Sequence, residues 1–256
     1  MRLAFVFLAL VAASAFGAVH TEQFNGTPGD NVAGWTMVSP VHFFANSTFK
    51  YEAGSTAKLT TTAPWADHAF TVDALDGYDY VASGALEVLV KFQIHLPDTG
   101  TNAAHMAGPL VSMSWEEGCN LGVMTGVWDS VAATVEWKGF DYSEEVLACA
   151  ASSGFTSTKA SGFLASDVWY IYRVRVSDGQ LRLKAWRPDR QQESAYWDFT
   201  VSMDRSIPGR TGVLLDPNGD TSRYMLVDWF VYATNGDHAI SPDGEPSFAR
   251  RVAVVQ

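Results

Sequence analysis

The stretch Trp169–Trp186, which reads WYIYRVRVSDGQLRLKAW, decides the fold class of this chain. Every second residue from Tyr170 to Val176 is Tyr or Val, and the residues between them include two arginines. The same alternation returns in Leu181–Trp186, after the turn-forming residues Ser-Asp-Gly-Gln. Because successive side chains of a strand point to opposite faces, this stretch predicts a β-hairpin with one buried and one solvated face.

A second strand of the same period is predicted at Ala85–His95. Its polar side carries Glu87, Lys91, Gln93 and His95, opposite apolar residues at every other position. Further strand candidates are Phe43–Tyr51, Lys58–Thr62, Gly108–Trp115, Leu121–Met124, Ala132–Trp137, Gly212–Leu215 and Tyr224–Ala233. Many short strands separated by turn-forming residues predict an all-β sandwich or barrel.

Composition excludes two classes of protein. The chain has 256 residues, 47% hydrophobic and 18% charged, which is typical of a folded domain rather than a disordered one. Its formal net charge of −11 repels a nucleic-acid backbone, so we expect no nucleic-acid partner.

The first residues are typical of an export signal. Arg2 supplies a positive charge, Leu3–Val11 is an uncharged apolar run, and small residues lead to Ala18. This pattern predicts a signal peptide over residues 1–18 and a secreted, extracellular mature chain that starts at Val19. An uncleaved membrane anchor is the alternative, although a bilayer span needs ~20 apolar residues. We expect no membrane span after cleavage of the signal.

Residues 19–240 contain no Pro/Gly/Ser-rich linker and are interpreted as one domain. The tail, residues 241–256, begins with the turn-like sequence PDGEP and ends near the apolar Val252–Val255. Two interpretations stay open for it. It is either a frayed terminus or an added strand through which copies of the chain associate.

Cys119 and Cys149 are the two cysteines of the chain. In an oxidising compartment they predict one disulfide, and two separate buried thiols are the alternative, because the sequence gives no distance between them.

The order of residues in the carboxyl half resembles the concanavalin A-like lectin/glucanase superfamily. The Trp169–Val176 strand, the return strand ending in Lys184-Ala185-Trp186, the glycines at 209 and 212, and Asp228-Trp229-Phe230 carry the resemblance. The opening Glu22-Gln23-Phe24 also fits. The resemblance implies a jelly roll of the LamG type, a two-sheet antiparallel β-sandwich.

Many glucanases of this superfamily carry two catalytic glutamates in the motif E-x-D-x-E on one strand. That motif is absent from this sequence, so no catalytic residue is assigned. Gln93-Ile94-His95 is similar to a Q-[IV]-H motif of jelly-roll alginate lyases, but their partner motifs are missing. If the sheet that holds this strand faces a ligand, Glu87, Lys91, Gln93 and His95 would contact it. A solvent-facing strand is the alternative.

Aromatic rings and carboxylates complete the set of candidate site residues. Trp115, Trp137 and Trp186 are predicted platforms for the apolar face of a sugar, and the alternative is that they form the core. The resemblance also implies a structural calcium ion, with Glu22 and Asp228 at the expected positions, since carboxylate oxygens suit a hard cation.

Three functional hypotheses follow. The first is a secreted, non-catalytic β-sandwich that binds a polysaccharide, a glycoconjugate or another extracellular surface. The second is a glycoside hydrolase or polysaccharide lyase with an atypical site. The third is a structural subunit of an extracellular layer, filament or virion. One scaffold hosts many functions, so the pattern alone does not separate them.

Overall fold

The computed structural model describes residues 18–38, 47–62, 68–78, 84–97, 106–113, 119–128, 132–141, 155–158, 166–202, 210–216 and 220–244. Within these ranges the chain forms strands and one short 3₁₀ turn, Asp73–Leu75. The strands are β1 Val19–Glu22, β2 Trp35–Val38, β3 Ser47–Glu52, β4 Thr56–Thr61, β5 His68–Val72, β6 Leu86–His95, β7 Met106–Met113, β8 Cys119–Trp128, β9 Ala132–Asp141, β10 Phe155–Thr158, β11 Trp169–Ser177, β12 Gln180–Trp186, β13 Phe199–Ser202, β14 Arg210–Asp216 and β15 Tyr224–Ala233.

The strands form two antiparallel sheets. The first has the order β13-β12-β11-β6-β15-β4-β3, with β1 also paired to β15. The second has the order β10-β9-β8-β7-β14-β5-β2. The prediction of an all-β, two-sheet antiparallel sandwich is therefore confirmed. Among the described residues, no helix is long and apolar enough to cross a membrane.

The hairpin predicted from Trp169–Trp186 is present. Ser177 of β11 pairs with Gln180 of β12, which leaves Asp178 and Gly179 as the turn. Their φ angles are 52° and 66°. Two successive positive φ values match the twist of antiparallel strands, and Asp and Gly tolerate them.

The main core lies between the sheets and is filled by alternate residues of strands such as β4, β6, β11 and β14. Tyr170 and Tyr172 of β11 and Phe92 of β6 meet Phe70 and Val213 of the second sheet in one apolar cluster. Fully burying each such side chain contributes about 1.5–3 kcal/mol, so the alternation that predicts the strands also supplies the stability of the fold.

Gly212 has a role that the sequence analysis does not assign. It lies inside β14, directly opposite Thr71 of β5. A Cβ atom at this position would lie 1.9 Å from the carbonyl oxygen of Phe70. Only a glycine allows the two strands to approach this closely.

Candidate functional site

The face of the first sheet that points away from the second sheet carries the polar residues singled out in the sequence; we call it the outer face. Glu87, Lys91, Gln93 and His95 alternate along β6 with residues of the main core. They therefore share the outer face, as predicted. Their surroundings on that face differ.

Part of the outer face is covered by two segments without regular structure, residues 187–198 and 234–244. Beneath them lies a second apolar cluster of Leu89, Ile171, Trp186, Trp229, Val231, Ala233 and Ala239. Trp186, a predicted sugar platform, is 2% exposed in this cluster, which leaves almost no ring surface for a ligand.

Glu87 lies at the centre of a buried group of charges. Its side chain has no exposed surface and accepts hydrogen bonds from Arg173, from Arg175 at 2.9 Å and from the backbone N–H of Ala239 at 3.1 Å. His238 Nδ1 lies 3.1 Å from its second oxygen. Burial alone would raise the pKa of Glu87, but the hydrogen bond with His238 and the charge of Arg173 lower it from 4.5 to about 2. Glu87 is thus an ionised anchor for residues 238–239.

A second buried carboxylate fixes the other segment. Glu193 lies 2.8 Å from Arg173 Nε and 2.5 Å from Lys184 Nζ, and all three side chains are almost fully buried. Lys184 also donates to the carbonyl oxygen of Ser194 at 3.0 Å. Burial of charges is tolerated only when each is paired, so this arrangement fixes residues 193–194 against the sheet.

Lys91 lies between two carboxylates. Its Nζ is 2.8 Å from Asp228 and 2.8 Å from Asp243, and Asp243 also accepts a 3.1 Å hydrogen bond from Trp229 Nε1. Burial alone would lower the pKa of Lys91, but the hydrogen bonds to Asp228 and Asp243 raise it. The ammonium group lies between these carboxylate oxygens and offsets part of their negative charge.

The donor atoms predicted for calcium do not come together as a metal site. Asp228 is neutralised by Lys91, and Glu22 Oε1 accepts a 2.8 Å hydrogen bond from the backbone N–H of Phe24. In the part of the chain that the structure describes, no group of three or more His, Cys, Asp and Glu side chains could hold a metal. Calcium at Glu22 and Asp228 stays a prediction that this arrangement does not favour.

Toward the His95 end of β6 the outer face stays partly exposed. We call this region the open strip and define it by Thr48, Lys58, Thr60, Gln93, His95, Trp169 and Tyr224. The strand register places His95 beside Tyr224, Tyr224 beside Thr60, and Thr60 beside Thr48, across four adjacent strands. Trp169 and Gln93 are neighbours in the next row. The strip therefore presents hydroxyl, amide, imidazole and aromatic groups side by side.

His95 is held in one orientation. Its Nδ1 lies 2.8 Å from Asp167 Oδ1, while Ser166 Oγ donates to the other oxygen of Asp167 at 2.8 Å. Burial would raise the pKa of Asp167, but these two hydrogen bonds lower it below 3.8. The imidazole stacks on Tyr224 with ring centroids 4.5 Å apart. Nε2 of His95 forms no hydrogen bond with any of the described residues.

The backbone that supports this pair is constrained. Asp167 has a φ of 59°, which is uncommon for a residue other than glycine. Its N–H donates to the carbonyl oxygen of Ile94 at 2.8 Å, and the N–H of Leu96 donates to Ser166 Oγ at 2.8 Å. Conformations of this kind persist where several contacts fix them, and they cluster at functional sites.

The remaining predicted residues lie in the second sheet or outside the described ranges. Trp137 is in β9, paired with Val123 and Phe155, and Trp115 lies outside the described residues. Cys119 begins β8, and Cys149 lies outside the described residues. The disulfide therefore stays a prediction.

Five members of the open strip are missed by the sequence analysis: Thr48, Lys58, Thr60, Trp169 and Tyr224. The predicted outer face of Trp169–Val176 contains Trp169, so its alternation was a usable signal. No local signal brings Lys58 and Tyr224 together, although Lys58 Nζ lies 3.9 Å from the ring centroid of Tyr224.

Comparisons with known proteins establish the fold. No protein-family model matches the chain, and no curated protein does. Among solved structures, basic winged bean lectin with the Tn antigen is 10% identical, covers 87% of this chain and 100% of its own, and has a TM-score of 0.54. The CBM2 module of the evolved Dit of Lactobacillus casei BL23 phage J-1 is 12% identical over 87% of this chain and 98% of its own, with a TM-score of 0.54.

The carbohydrate recognition domain of Emp47p is 13% identical over 86% of this chain and 95% of its own, with a TM-score of 0.50. At identities this low, the comparisons support a similarity of fold alone. Together with the two antiparallel sheets, these similarities show that the chain has the concanavalin A-like jelly-roll fold of lectin domains.

Proposed function

We propose that this chain is a secreted, non-catalytic domain that binds carbohydrate on the open strip. The observation that carries the proposal is the strip itself, because it is the part of the outer face that residues 187–198 and 234–244 leave uncovered. Its groups suit a sugar, because an aromatic surface can cover the apolar face of the ring while flanking side chains form hydrogen bonds with the hydroxyls.

The strip supports a division of roles. The partly exposed indole of Trp169 would cover the apolar face of one pyranose ring. The amide of Gln93 both donates and accepts, and so does the pair of hydroxyls formed by Thr48 and Thr60, whose oxygens lie 2.9 Å apart. His95 Nε2 would accept from or donate to a sugar hydroxyl. Of the four residues predicted on β6, Gln93 and His95 are therefore the ones we assign to the ligand.

Two observations support the wider proposal. Among the described residues, the first strand begins at Val19, directly after the residues expected to form the signal peptide. The solved structures with the same fold include a lectin and a carbohydrate recognition domain. Export and ligand class are proposals that rest on these observations.

A glycan array followed by polysaccharide affinity electrophoresis tests the proposal. Gln93→Ala and Trp169→Ala should each weaken retention by at least tenfold. Gln191→Ala, a matched change of an exposed glutamine in the covering segment, should leave retention unchanged. Equal retention of the wild type and all three variants would contradict binding on the strip. If no glycan is retained at all, carbohydrate binding itself is contradicted.

An enzyme that acts on polysaccharide is the second candidate, and the His95–Asp167 pair favours it. A carboxylate on Nδ1 fixes the tautomer of an imidazole and leaves Nε2 to accept a proton, which is the arrangement of a general base. Release of reducing or unsaturated ends from a polysaccharide panel, abolished in His95→Ala, would establish this function in place of the first.

A further inference from the structure

A pocket lies at the other end of the first sheet, where β6 begins and β11 ends. It has a volume of about 340 Å³, and we call it the end pocket; Gly84, Arg175, Ser177, Asp178, Gly179 and Gly236 line it. Since a strand rises ~3.3 Å per residue, the length of Leu86–His95 separates it from the open strip by roughly 30 Å. One sugar unit therefore cannot contact both sites.

The walls of the end pocket are largely main chain. Gly84, Gly179 and Gly236 have φ angles of 95°, 66° and 91°. A Cβ atom on Gly84 would lie 3.2 Å from Cα of Asn235, so the loop before β6 and the turn after β15 are in direct contact. A ligand can approach backbone amides closely where side chains are absent.

Arg175 is fixed at the wall of the end pocket. Its guanidinium donates to the carbonyl oxygens of Gly236 at 3.2 Å and Asp237 at 3.1 Å, as well as to Glu87. Glu87 offsets part of the positive charge of Arg175, and the N–H groups that Glu87, Gly236 and Asp237 do not engage remain as directed donors. A guanidinium held in this way is organised before any ligand arrives.

Ser177 and Asp178 add the complementary groups. Ser177 is 8% exposed, and no hydrogen bond of its hydroxyl occurs among the described residues. Asp178 is exposed in the hairpin turn and brings a carboxylate, which only accepts. The end pocket thus combines fixed donors, a hydroxyl and an acceptor.

This combination selects a neutral, hydroxyl-rich ligand. An anion would be repelled by Asp178 and by the net charge of −11, and Arg175 disfavours a cation. A sugar hydroxyl can donate to the carboxylate while accepting from the guanidinium. A volume near the lower limit of ligand pockets, which span ~300–1,000 Å³, fits one sugar unit.

We propose that the end pocket is a second saccharide subsite that takes a single neutral sugar residue, independently of the open strip. The proposal rests on the carbohydrate-binding function and deepens it by adding a site. A domain with two sugar sites about 30 Å apart binds a branched or repeating polysaccharide at two points, which raises its avidity.

In the test, the full chain is titrated with D-glucose, D-galactose, D-mannose and N-acetyl-D-glucosamine. Saturation-transfer NMR measures the binding of each sugar. At least one of these sugars should bind. Asp178→Asn should weaken it about fivefold, since a hydrogen bond to a charged group is roughly twice as strong as a neutral one. Ser177→Ala should weaken it by a similar factor, because it removes one hydroxyl partner of the sugar. Asparagine tolerates the positive φ of position 178, so Asp178→Asn keeps the turn. Asp73→Asn, a matched change of an exposed aspartate, should have no effect.

The outcomes separate the two proposals. If no monosaccharide binds, or if the pocket variants bind like wild type, the end pocket is not a sugar site. If polysaccharide retention nevertheless falls in Gln93→Ala, the open strip is supported as a sugar site and the end pocket is not. Monosaccharide binding that is lost in the pocket variants and kept in Gln93→Ala supports the second subsite, whatever the strip binds.

Discussion

Glu87 and Arg175 are direct cross-strand neighbours in β6 and β11, and their side chains form a 2.9 Å ion pair whose carboxylate has no exposed surface. The pair joins three parts of the molecule. Glu87 also holds the N–H of Ala239, and Arg175 holds the carbonyl oxygens of Gly236 and Asp237. The same two side chains therefore fix the covering segment 234–244 and the wall of the end pocket.

Replacing Glu87 should destabilise the fold. In Glu87→Gln two arginines lose a buried counter-charge, and breaking a buried pair costs about 3–5 kcal/mol. Urea unfolding of the variant should show a loss in this range. Glu52→Gln, a change of an exposed glutamate at the end of β3, should stay within about 0.5 kcal/mol of wild type. Equal stability of the two variants would contradict the anchoring role of Glu87.

Acid should remove the stabilisation that the ionised carboxylate of Glu87 provides. The pKa of Glu87 falls on folding from 4.5 to about 2, so the folded chain binds fewer protons between these pH values. Its contribution is complete above about pH 4.5 and is lost as the pH falls toward 2, by about 3 kcal/mol in total. Urea midpoints between pH 2 and 6 should fall more steeply in wild type than in Glu87→Gln. Parallel curves would refute this linkage.

Lys91→Met should create a dependence on calcium. The ammonium of Lys91 lies 2.8 Å from both Asp228 and Asp243, and its removal leaves two carboxylates without a cationic partner among the described side chains. The variant should lose about 1 kcal/mol, since all three side chains are partly exposed. Calcium should then raise its melting temperature more than that of wild type, with sodium chloride of equal ionic strength as the control. An equal or larger rise in wild type would instead favour the calcium site predicted from the sequence.

Asp167→Asn should change the tautomer of His95. In wild type the carboxylate of Asp167 accepts from Nδ1 at 2.8 Å, which favours the Nδ1–H form of the neutral ring. Asparagine keeps the positive φ of position 167 but provides a weaker acceptor. Long-range ¹H–¹⁵N spectra should show the Nδ1–H tautomer in wild type and a mixture in the variant. The same tautomer mixture in both proteins would show that Asp167 does not orient the ring.

Gly212→Ala should prevent stable folding. A methyl group there would lie 1.9 Å from the carbonyl oxygen of Phe70, and backbone in a central strand cannot move away cheaply. We expect a loss of more than about 3 kcal/mol, or an insoluble product. Gly54→Ala provides the comparison, because its φ of 85° is strained while the space around it is open. That variant should lose only about 1 kcal/mol.

The candidate site was predictable in part. The alternation in Leu86–His95 was enough to place Gln93 and His95 on one face, and the turn at Asp178-Gly179 was readable because two residues set its geometry. The roles of Glu87 and Lys91 were not readable, because their partners are distant in sequence: Arg175 for Glu87, and Asp228 and Asp243 for Lys91. The burial of Trp186 was not predictable either, because the segments that cover it have no regular structure.

Local sequence was enough to predict the hairpin turn, the all-β class and most of the described strands, although β1, β2, β5, β10 and β13 were not predicted. Which carboxylate meets which cation, and which part of the outer face stays open, became visible in the folded chain. Those choices depend on the register of strands that are distant in the chain and on where the irregular segments lie. Local periodicity fixes the direction of a side chain but not the residue that faces it.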